Sequence, residues 1–278
     1  MTNDAMRKQW NEASGPEWVA LEHEFDQMLT PIGKELLRRA AAQPGEHVLD
    51  VGCGFGSTTL ALADAVGADG RVMGLDISAP LLGRARERAH DAGVQNIIWD
   101  EADAQEARLP TAHFDLVTSR FGVMFFEQPV VAFHNFFEAT KPGGRLCFAC
   151  WQSNERNPWY TFPSKTLAPH IELPPPPFAD GPGPFAFADR AKVTSILTTA
   201  GFTDVAVDTF MPMLVIGGGR DAALGFLLRG PIGAALDAAP AEARDAGTAA
   251  MRTGLRDRTV DGEVRFPAAV WMVSARRP

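Results

Sequence analysis

The sequence predicts an α/β fold in which a mainly parallel sheet is covered by helices. Short apolar runs rich in β-branched residues alternate with segments of helical periodicity between Val48 and Trp151, which is typical of strands joined by crossover helices. The first apolar run leads directly into VGCGFGSTTL, which places three glycines in five positions, Gly52 to Gly56, ahead of a helix. At 278 residues the chain is long enough for one such domain with elaborations.

The elements of this region follow in order along the chain. After a first strand at Val48–Val51, further strands are predicted at Arg71–Asp76, Asn96–Asp103, Phe114–Phe121 and Gly144–Trp151. One helix has clear limits, since Ser78 is a good N-cap, Pro80 suits the first turn and Gly93 can end it. A second helix opens at Pro129, and KPGG leads from it into the fifth strand.

The composition changes after Trp151. Residues 152–188 contain nine prolines interleaved with six aromatic residues: Trp159, Tyr160, Phe162, Phe178, Phe185 and Phe187. Regular structure then returns as a helix near Asp189–Ala200, a strand at Asp204–Leu214 and a closing strand-like segment at Glu263–Arg276. Between the last two, residues 217–261 are rich in Ala, Gly and Arg and are expected to be mostly helical.

The first 45 residues contain apolar side chains in helix-compatible spacing: Trp10, Trp18, Phe25, Met28, Leu29, Leu36 and Leu37. Thr30-Pro31 predicts a break and restart of the helix, because proline has no backbone N–H. Two interpretations remain open. The segment adds helices to the sheet, which the spacing favours, or it helps to close a binding site.

Bulk properties exclude several classes of function. A formal net charge of −8 and a pI near 5.3, with no long basic run, argue against nucleic-acid binding. No run of about 18 apolar residues is present and the first residues are polar, so we expect a cytoplasmic protein without a membrane span. Three cysteines do not make a disulfide framework. Cys147 and Cys150 should point to opposite faces of a strand, and no cluster has metal-ligand spacing, so no metal is expected.

Asp76 ends the second strand, 20 residues after Gly56. A carboxylate there can accept both ribose hydroxyls of a nucleoside laid across the glycine loop, so a dinucleotide and S-adenosylmethionine are the candidate ligands. The spacing GxGxG places Ser57 where a dinucleotide site has its third glycine. Asp50, just ahead of the loop, would repel a pyrophosphate but attract an ammonium group.

Four motifs, VLDVGCGFG, GLDIS, EADAQEARLPTAHFDLVTSRF and KPGGRL, occur in this order. Over about Gln43 to Trp151 the chain resembles the class I S-adenosylmethionine-dependent methyltransferases, and it looks like their small-molecule, ubiquinone-biosynthesis-like branch. The resemblance implies a three-layer α/β/α Rossmann-like fold with a seven-stranded mixed sheet of order 3-2-1-4-5-7-6. The last strand would be antiparallel and inserted between the fifth and sixth.

The resemblance also implies roles for particular residues. The methionyl part of S-adenosylmethionine would lie against Gly52, Gly54 and, less directly, Gly56, with its ammonium near Asp50. Asp76 would bind the ribose and Ile77 would pack on the adenine. Four further positions complete the site: Asp103 and Ala104 would hydrogen-bond the adenine, and Ser119 with Arg120 would border the methionine portion. The product would be S-adenosylhomocysteine.

We expect one domain over residues 1–278. It comprises an N-terminal helical cap (1–45), a cofactor-binding core (46–151), the Pro/aromatic-rich insertion (152–188), and C-terminal strands (189–278) with a helical insertion (217–261). The first insertion should form a wall or lid of the acceptor pocket together with five apolar residues: Met124, Phe125, Phe126, Trp151 and Trp159. The alternative is that its aromatic residues form the contact of a homodimer.

The sequence does not identify a catalytic residue. FGVMFF stands after the fourth strand where this family often has a polar or His-containing segment, and this departure removes a ready base. His134, Tyr160 and His170 are weak candidates, since each residue is more often structural in such a context. The favoured function is methyl transfer to an O, N or C nucleophile of a hydrophobic or aromatic small molecule. The alternatives are a fold relative with another reaction, such as a cyclisation, and a non-catalytic cofactor-binding scaffold.

Overall fold

The computed structural model describes residues 3–175 and 181–278, and it is built around a seven-stranded sheet. The strands lie in the order β3-β2-β1-β4-β5-β10-β6, so the predicted order 3-2-1-4-5-7-6 is confirmed with β10 as the seventh strand. Their limits are β1 His47–Val51, β2 Arg71–Asp76, β3 Ile97–Glu101, β4 Phe114–Arg120, β5 Thr140–Trp151, β6 Thr203–Phe210 and β10 Val270–Arg276. Three short strands form a second sheet of order β7-β9-β8: β7 Met213–Val215, β8 Thr259–Val260 and β9 Glu263–Pro267.

Strand direction agrees with the expectation as well. β1 is parallel to both of its neighbours, with Val48 opposite Val72 and Leu116. β10 is antiparallel to both β5 and β6. The carboxyl ends of β1 to β5 therefore meet at one edge of the sheet, where α/β proteins bind their ligands.

Eleven α-helices are present in the described ranges. They are α1 Asp4–Lys8, α2 Ser14–Ala20, α3 Glu22–Ala40, α4 Ser57–Val66, α5 Ala79–Asp91, α6 Pro129–Ala139, α7 Pro158–Leu167, α8 Arg190–Thr199, α9 Arg220–Leu227, α10 Pro231–Ala238 and α11 Ala241–Arg256. α5 begins as expected, since the Ser78 hydroxyl accepts a hydrogen bond from the backbone N–H of Leu81. None of the helices in this part of the chain is long and apolar enough to span a membrane.

The sheet separates two hydrophobic clusters. Val48 and Cys147 belong to the smaller cluster, where they pack with residues of α4 and of the C-terminal half of α3. Leu49 and Cys150 belong to the larger one, with α6 and α8. Successive strand residues point to opposite faces, which is why the two cysteines are apart. All three cysteines are buried free thiols.

The predicted break at Thr30-Pro31 is wrong. α3 continues through Pro31, although an interior proline costs a helix about 3 kcal/mol. Met28, Leu29, Ile32 and Leu36 are each 3% exposed or less. Burial of such side chains contributes about 1.5–3 kcal/mol each, so packing on the sheet outweighs the missing hydrogen bond.

Two predicted strands are divided by proline. The segment Asp204–Leu214 separates into β6 and β7 around Pro212, and β7 pairs with β9 rather than continuing in the main sheet. In the same way Glu263–Arg276 separates after Pro267 into β9 and β10. A proline cannot donate to a ladder of strand hydrogen bonds, so the chain changes sheets at each of these points.

The two insertions contain regular structure. Residues 152–188 include α7, and Phe162, Leu167 and Phe187 from this segment are buried in the larger cluster. Pro176, Pro177 and Phe178 of this insertion lie outside the described residues. Within residues 217–261 the chain forms α9, α10 and α11.

Candidate functional site

A cavity opens at the carboxyl ends of β1, β2, β4 and β5. Its wall is formed by the glycine loop, by the segments that follow β2, β3 and β4, by the end of β5 and by the N-terminal helices. The predicted residues that line it are Gly52, Gly54, Asp76, Ile77, Asp103, Ala104, Arg120, Met124, Phe125, Phe126, Trp151 and Trp159. Asp50, Gly56 and Ser119 are not in the lining.

The glycine loop follows β1 and is held by the end of β2. The backbone N–H groups of Gly52 and Cys53 donate to the carbonyl oxygen of Leu75, at 2.8 and 3.2 Å. Gly52 has φ +64°, and a Cβ built there would lie 2.7 Å from Cα of Gly122, so no other residue fits. A Cβ on Gly54 would meet nothing within 4 Å. The floor of the cavity is therefore bare backbone at Gly54.

Gly56 has a different place. A Cβ on Gly56 would lie 2.9 Å from the ring of Trp99 and 3.2 Å from Cβ of Ala85. Gly56 thus allows the start of α4 to pack closely on α5 and β3. It supports the loop rather than facing the cavity.

Asp50 lies beneath the loop and is 1% exposed. Its Oδ2 accepts a 2.7 Å hydrogen bond from the Thr59 hydroxyl, whereas Oδ1 is buried without a hydrogen-bond partner. Burial raises the pKa of Asp50 to about 7, against the opposing effects of the Thr59 hydrogen bond and the positive charge of Arg120. An unpartnered buried carboxylate oxygen is costly, and a cationic group placed against it would remove that cost.

Asp76 joins the end of β2 to the glycine loop. Its Oδ2 accepts a 2.7 Å hydrogen bond from the backbone N–H of Gly54, and its Oδ1 accepts one of 2.9 Å from Ser78. Burial nevertheless raises the pKa of this carboxyl. Each carboxylate oxygen has a further lone pair, and Asp76 faces the cavity, so it can still accept hydrogen bonds from a ligand.

Asp103 and Ala104 follow β3 on the same side of the cavity. Oδ1 of Asp103 accepts a 3.0 Å hydrogen bond from the backbone N–H of Gln105, which orients the carboxylate.

The Ser119 hydroxyl makes its hydrogen bonds within the protein. This hydroxyl donates to the carbonyl oxygen of Val51 at 2.7 Å and accepts from the N–H of Gly122, so it fastens the end of β4 to the end of β1.

Among the described residues that line the cavity, Arg120 is the only cation. It ends β4 and lies close to α3, where a Cβ on Gly33 would be 3.2 Å from the guanidinium Nη1. Burial lowers the pKa of Arg120, while the negative charges of Asp26 and Asp50 oppose that shift. Asp26 is itself held by the Ser57 hydroxyl and by Arg88, whose Nη2 lies 2.9 Å away.

The wall beyond the ends of β4 and β5 is aromatic. The rings of Phe121 and Trp151 are stacked with centroids 4.1 Å apart, and Trp159 of α7 lies 5.0 Å from Trp151. Trp18 and Phe25 form a second stacked pair at 3.9 Å. Both pairs line the cavity.

The N-terminal segment also lines the cavity, through Asn3, Met6, Trp10, Trp18 and Phe25, and none of these was among the predicted site residues. Asn11 bonds to the turn after Asp76, donating to the Ile77 carbonyl and accepting from the N–H of Ala79, each at 2.9 Å. Aromatic residues in helical spacing were the only sequence signal, and it did not indicate what they face. Of its two interpretations, the geometry supports closure of the site.

The three weak candidates for catalysis lie outside the cavity lining. Nδ1 of His134 is 3.4 Å from the carbonyl oxygen of Ala200. Tyr160 packs against Phe185 at 4.7 Å, and Cβ of His170 lies near Gly247 of α11. Among residues 3–175 and 181–278, no group of three or more His, Cys, Asp or Glu side chains is arranged to hold a metal ion.

Known proteins that resemble this chain in sequence include methyltransferases. Residues 48–144 match the family described as a methyltransferase domain. DauC, the aklanonic acid methyltransferase of Streptomyces sp. strain C5, is 31% identical over 148 residues, which are 53% of this chain and 67% of that protein. The demethylmenaquinone methyltransferase of Geobacillus stearothermophilus is 35% identical over 111 residues, 40% of this chain and 47% of that protein. The match thus spans about half the length of this second relative.

Solved structures agree on the fold. Phosphoethanolamine N-methyltransferase 2 of Haemonchus contortus, in complex with phosphomonomethylethanolamine and S-adenosylhomocysteine, superposes with a TM-score of 0.62. The superposition covers 100% of this chain and 61% of that one at 17% identity. At this identity the likeness shows the fold alone.

Proposed function

Because the chain belongs to the class I S-adenosylmethionine-dependent small-molecule methyltransferases, we propose that it methylates a hydrophobic or aromatic small molecule. The observation that carries the proposal is the aromatic wall at the ends of β4 and β5, next to the glycine loop. Small-molecule sites are mostly apolar, with a few placed polar groups that orient the ligand. The two relatives described above are named for aklanonic acid and for demethylmenaquinone.

The residues of this chain fit S-adenosylmethionine. When bound, the cofactor supplies an electrophilic methyl group on a sulfonium sulfur. We assign its ammonium to the region of Asp50, whose Oδ1 is buried without a hydrogen-bond partner. Because Asp50 is beneath the glycine loop and outside the cavity lining, this contact would pass through water. Arg120 borders the methionine portion, and its guanidinium is suited to a carboxylate. Ser119 acts indirectly, by holding the loop backbone.

The nucleoside end is assigned to the turns after β2 and β3. Asp76 is placed to accept the ribose hydroxyls, and Ile77 to pack on the adenine. Asp103 and the backbone of Ala104 are placed to bind the adenine edge. The N-terminal segment covers this end through Trp10 and Asn11, so it would shield the bound nucleoside from water.

Catalysis would come mainly from positioning. The aromatic side chains orient a flat acceptor beside the bare backbone of Gly54 and exclude water from the reacting atoms. Holding two reactants in line at about 3 Å can lower a barrier by roughly 7–11 kcal/mol. Such a site needs shape more than it needs a polar side chain at the reacting atom.

Two finer statements belong to the same proposal. With a net charge of −8, the protein would act on a small molecule rather than on nucleic acid, and we place this activity in the cytoplasm. A homodimer stays a prediction that the geometry does not support, because Phe162, Trp159 and Phe187 of the insertion pack into the chain's own core or cavity.

The proposal is tested by calorimetry and labelling. S-adenosylhomocysteine should bind and NAD should not, and a cell extract incubated with methyl-labelled cofactor and the protein should yield a labelled small molecule. Tight binding of NAD with no response to S-adenosylhomocysteine would contradict the whole interpretation. Cofactor binding with a rearranged, unlabelled product would instead favour a reaction such as cyclisation.

A further inference from the structure

We propose that the acceptor is a carboxylic acid with an apolar or aromatic body, and that its own carboxylate attacks the methyl group without a side-chain base. The inference rests on the proposed function and deepens it by naming the reacting group. Two observations support it: the identity of the titratable side chains that line the cavity, and the strands at whose ends they lie.

Three ionisable side chains line the cavity in the described part of the chain: Asp76, Asp103 and Arg120. Asp76 ends β2 and Asp103 follows β3, whereas Trp151 ends β5. With the order β3-β2-β1-β4-β5 and about 4.8 Å per strand, the end of β5 is roughly 14 Å from the end of β2 and roughly 19 Å from that of β3. Both carboxylates therefore belong to the nucleoside end.

Near the end of β5, Cys150 and Tyr160 are titratable but are not among the residues that line the cavity. Cys150 is fully buried with its Sγ 4.0 Å from the carbonyl oxygen of Phe187, and burial raises the pKa of this thiol. Tyr160 packs its ring between Trp159 and Phe185. Arg120 ends β4 beside β5 and lines the cavity, but its guanidinium is a hydrogen-bond donor with no lone pair that could take a proton. The described lining residues at this end are thus Arg120 and aromatic residues such as Phe121, Trp151 and Trp159, none of which can accept a proton.

This distribution restricts the nucleophile. The attacking atom needs a free lone pair, and no side chain among the described lining residues at this end can take a proton from it. An aliphatic amine or a phenol, with an ordinary pKa of about 10, is protonated at neutral pH, whereas a carboxylic acid with a pKa of about 4 is ionised. A carboxylate therefore has a free lone pair at neutral pH without the help of a base.

The change in charge during methyl transfer also favours a carboxylic acid as the acceptor. The acceptor's carboxylate oxygen forms a bond to the methyl carbon as the carbon–sulfur bond breaks, and the electron pair of that bond goes to sulfur. The negative charge of the carboxylate and the positive charge of the sulfonium are both neutralised. The products are a methyl ester and a thioether, and no proton is released at the reacting atoms. Between apolar walls the attraction of opposite charges is strong, and an ammonium acceptor would be repelled.

The first test examines the labelled product of the extract experiment. Mild alkali hydrolyses a methyl ester and releases labelled methanol, but it leaves N-methyl, C-methyl and phenol ether groups intact. We expect the label to be volatile after alkali. A labelled product that survives alkali would overturn this inference while leaving methyl transfer in place, whereas the absence of any labelled product would instead contradict the proposed function.

The second test measures binding rather than turnover. 2-Naphthoic acid and 2-naphthamide share one ring system but differ in charge. Sinefungin carries an ammonium where S-adenosylhomocysteine carries a neutral thioether. By calorimetry at pH 7 the acid should bind the sinefungin complex about tenfold more tightly than the S-adenosylhomocysteine complex, and the amide should not distinguish them. An acid that binds the sinefungin complex no better than the amide does would overturn the inference.

Discussion

The backbone N–H of Gly54 donates a 2.7 Å hydrogen bond to Oδ2 of Asp76. The bond crosses from the glycine loop after β1 to the last residue of β2, two segments that are 22 residues apart. The carboxylate that we assign to the ribose therefore also shapes the loop that we assign to the methionyl part. A substitution of Gly54 or Asp76 should therefore weaken the binding of both the nucleoside part and the methionyl part of the cofactor.

Asp76→Ala should weaken S-adenosylhomocysteine binding by about ten- to a hundredfold, or 1.4–2.8 kcal/mol. The substitution removes the acceptor for the ribose hydroxyls and leaves the N–H groups of Gly54 and Ser78 without their partner. Calorimetry measures the affinity, and a thermal melt checks that the protein is folded. Glu101→Ala is the matched control, because Glu101 pairs with Asp76 in register but is exposed and outside the cavity. Equal affinities for Asp76→Ala and the parent would mean that the ribose lies elsewhere.

Cofactor affinity should depend on pH through Asp50, whose pKa is raised from 3.8 to about 7. In the free protein, the stability contributed by the neutral carboxyl is full below about pH 4 and is lost as the pH rises to about 7. A bound ammonium favours the ionised form. Affinity for S-adenosylhomocysteine should therefore rise about tenfold between pH 6 and pH 7.5, with release of a proton at the lower pH.

Calorimetry in buffers of different ionisation enthalpy measures this proton release directly. Asp50→Asn is the control, since it keeps the size of the side chain and removes its titration. The variant should bind more weakly and with a flat pH profile over this range. If the parent and Asp50→Asn show the same pH dependence, another group is responsible.

Gly52→Ala should destabilise the protein well beyond the cost of its backbone conformation. Gly52 has φ +64° and its added Cβ would lie 2.7 Å from Cα of Gly122, a backbone atom that cannot move aside. Gly45→Ala is the control, with φ +83° and nothing within 4 Å, so it should cost only the conformational strain of about 1–2 kcal/mol. Thermal melts compare the two. Similar melting temperatures would show that the loop and the end of β4 can separate.

Trp159→Ala should weaken acceptor binding and leave cofactor binding within about twofold. Trp159 lines the cavity and contacts Trp151, and its indole N–H donates to Oδ1 of Asn157 at 3.3 Å. Loss of a buried aromatic contact costs on the order of 1–3 kcal/mol in binding. Phe185→Ala is the control from the same insertion, because Phe185 packs on Tyr160 without lining the cavity. Equal acceptor affinities for the two variants would place the acceptor away from α7.

Point variants are needed here because the insertion cannot be removed as a unit. Phe162, Leu167 and Phe187 are each 7% exposed or less and belong to the larger hydrophobic cluster. A Gly/Ser linker in place of residues 152–188 would delete this part of the core and would test stability rather than substrate binding. The sequence showed that the aromatic residues were too many for a solvated loop, but it did not separate those of the core from those of the cavity.

Most of the cavity lining at the ends of β1 to β3 could be predicted because it depends on local patterns. Gly52, Gly54, Asp76, Ile77, Asp103 and Ala104 each lie at the end of a strand or within three residues after it. Parallel strands bring their carboxyl ends to one edge, so finding the strands was enough to bring these residues together. Three predicted cofactor-site residues are not in the cavity lining: Asp50, Gly56 and Ser119. Asp50 and Ser119 are the next-to-last residues of β1 and β4, where the alternation of side chains decides which face each one points to.

The sequence by itself thus determined most of the strands and the glycine loop, since these depend on periodicity and on residues near in the chain, while its resemblance to the methyltransferases implied the strand order and the cofactor. Only the tertiary structure decided what depends on contacts between distant segments. It carried α3 through Pro31 because Ile32 and Leu36 are buried on the sheet, and it paired β7 with β9 rather than with a strand of the main sheet. It also brought Trp18 and Phe25 to the cavity. The physical reason is that side-chain burial against distant segments is worth more free energy than local propensity, and no local pattern records which segments will meet.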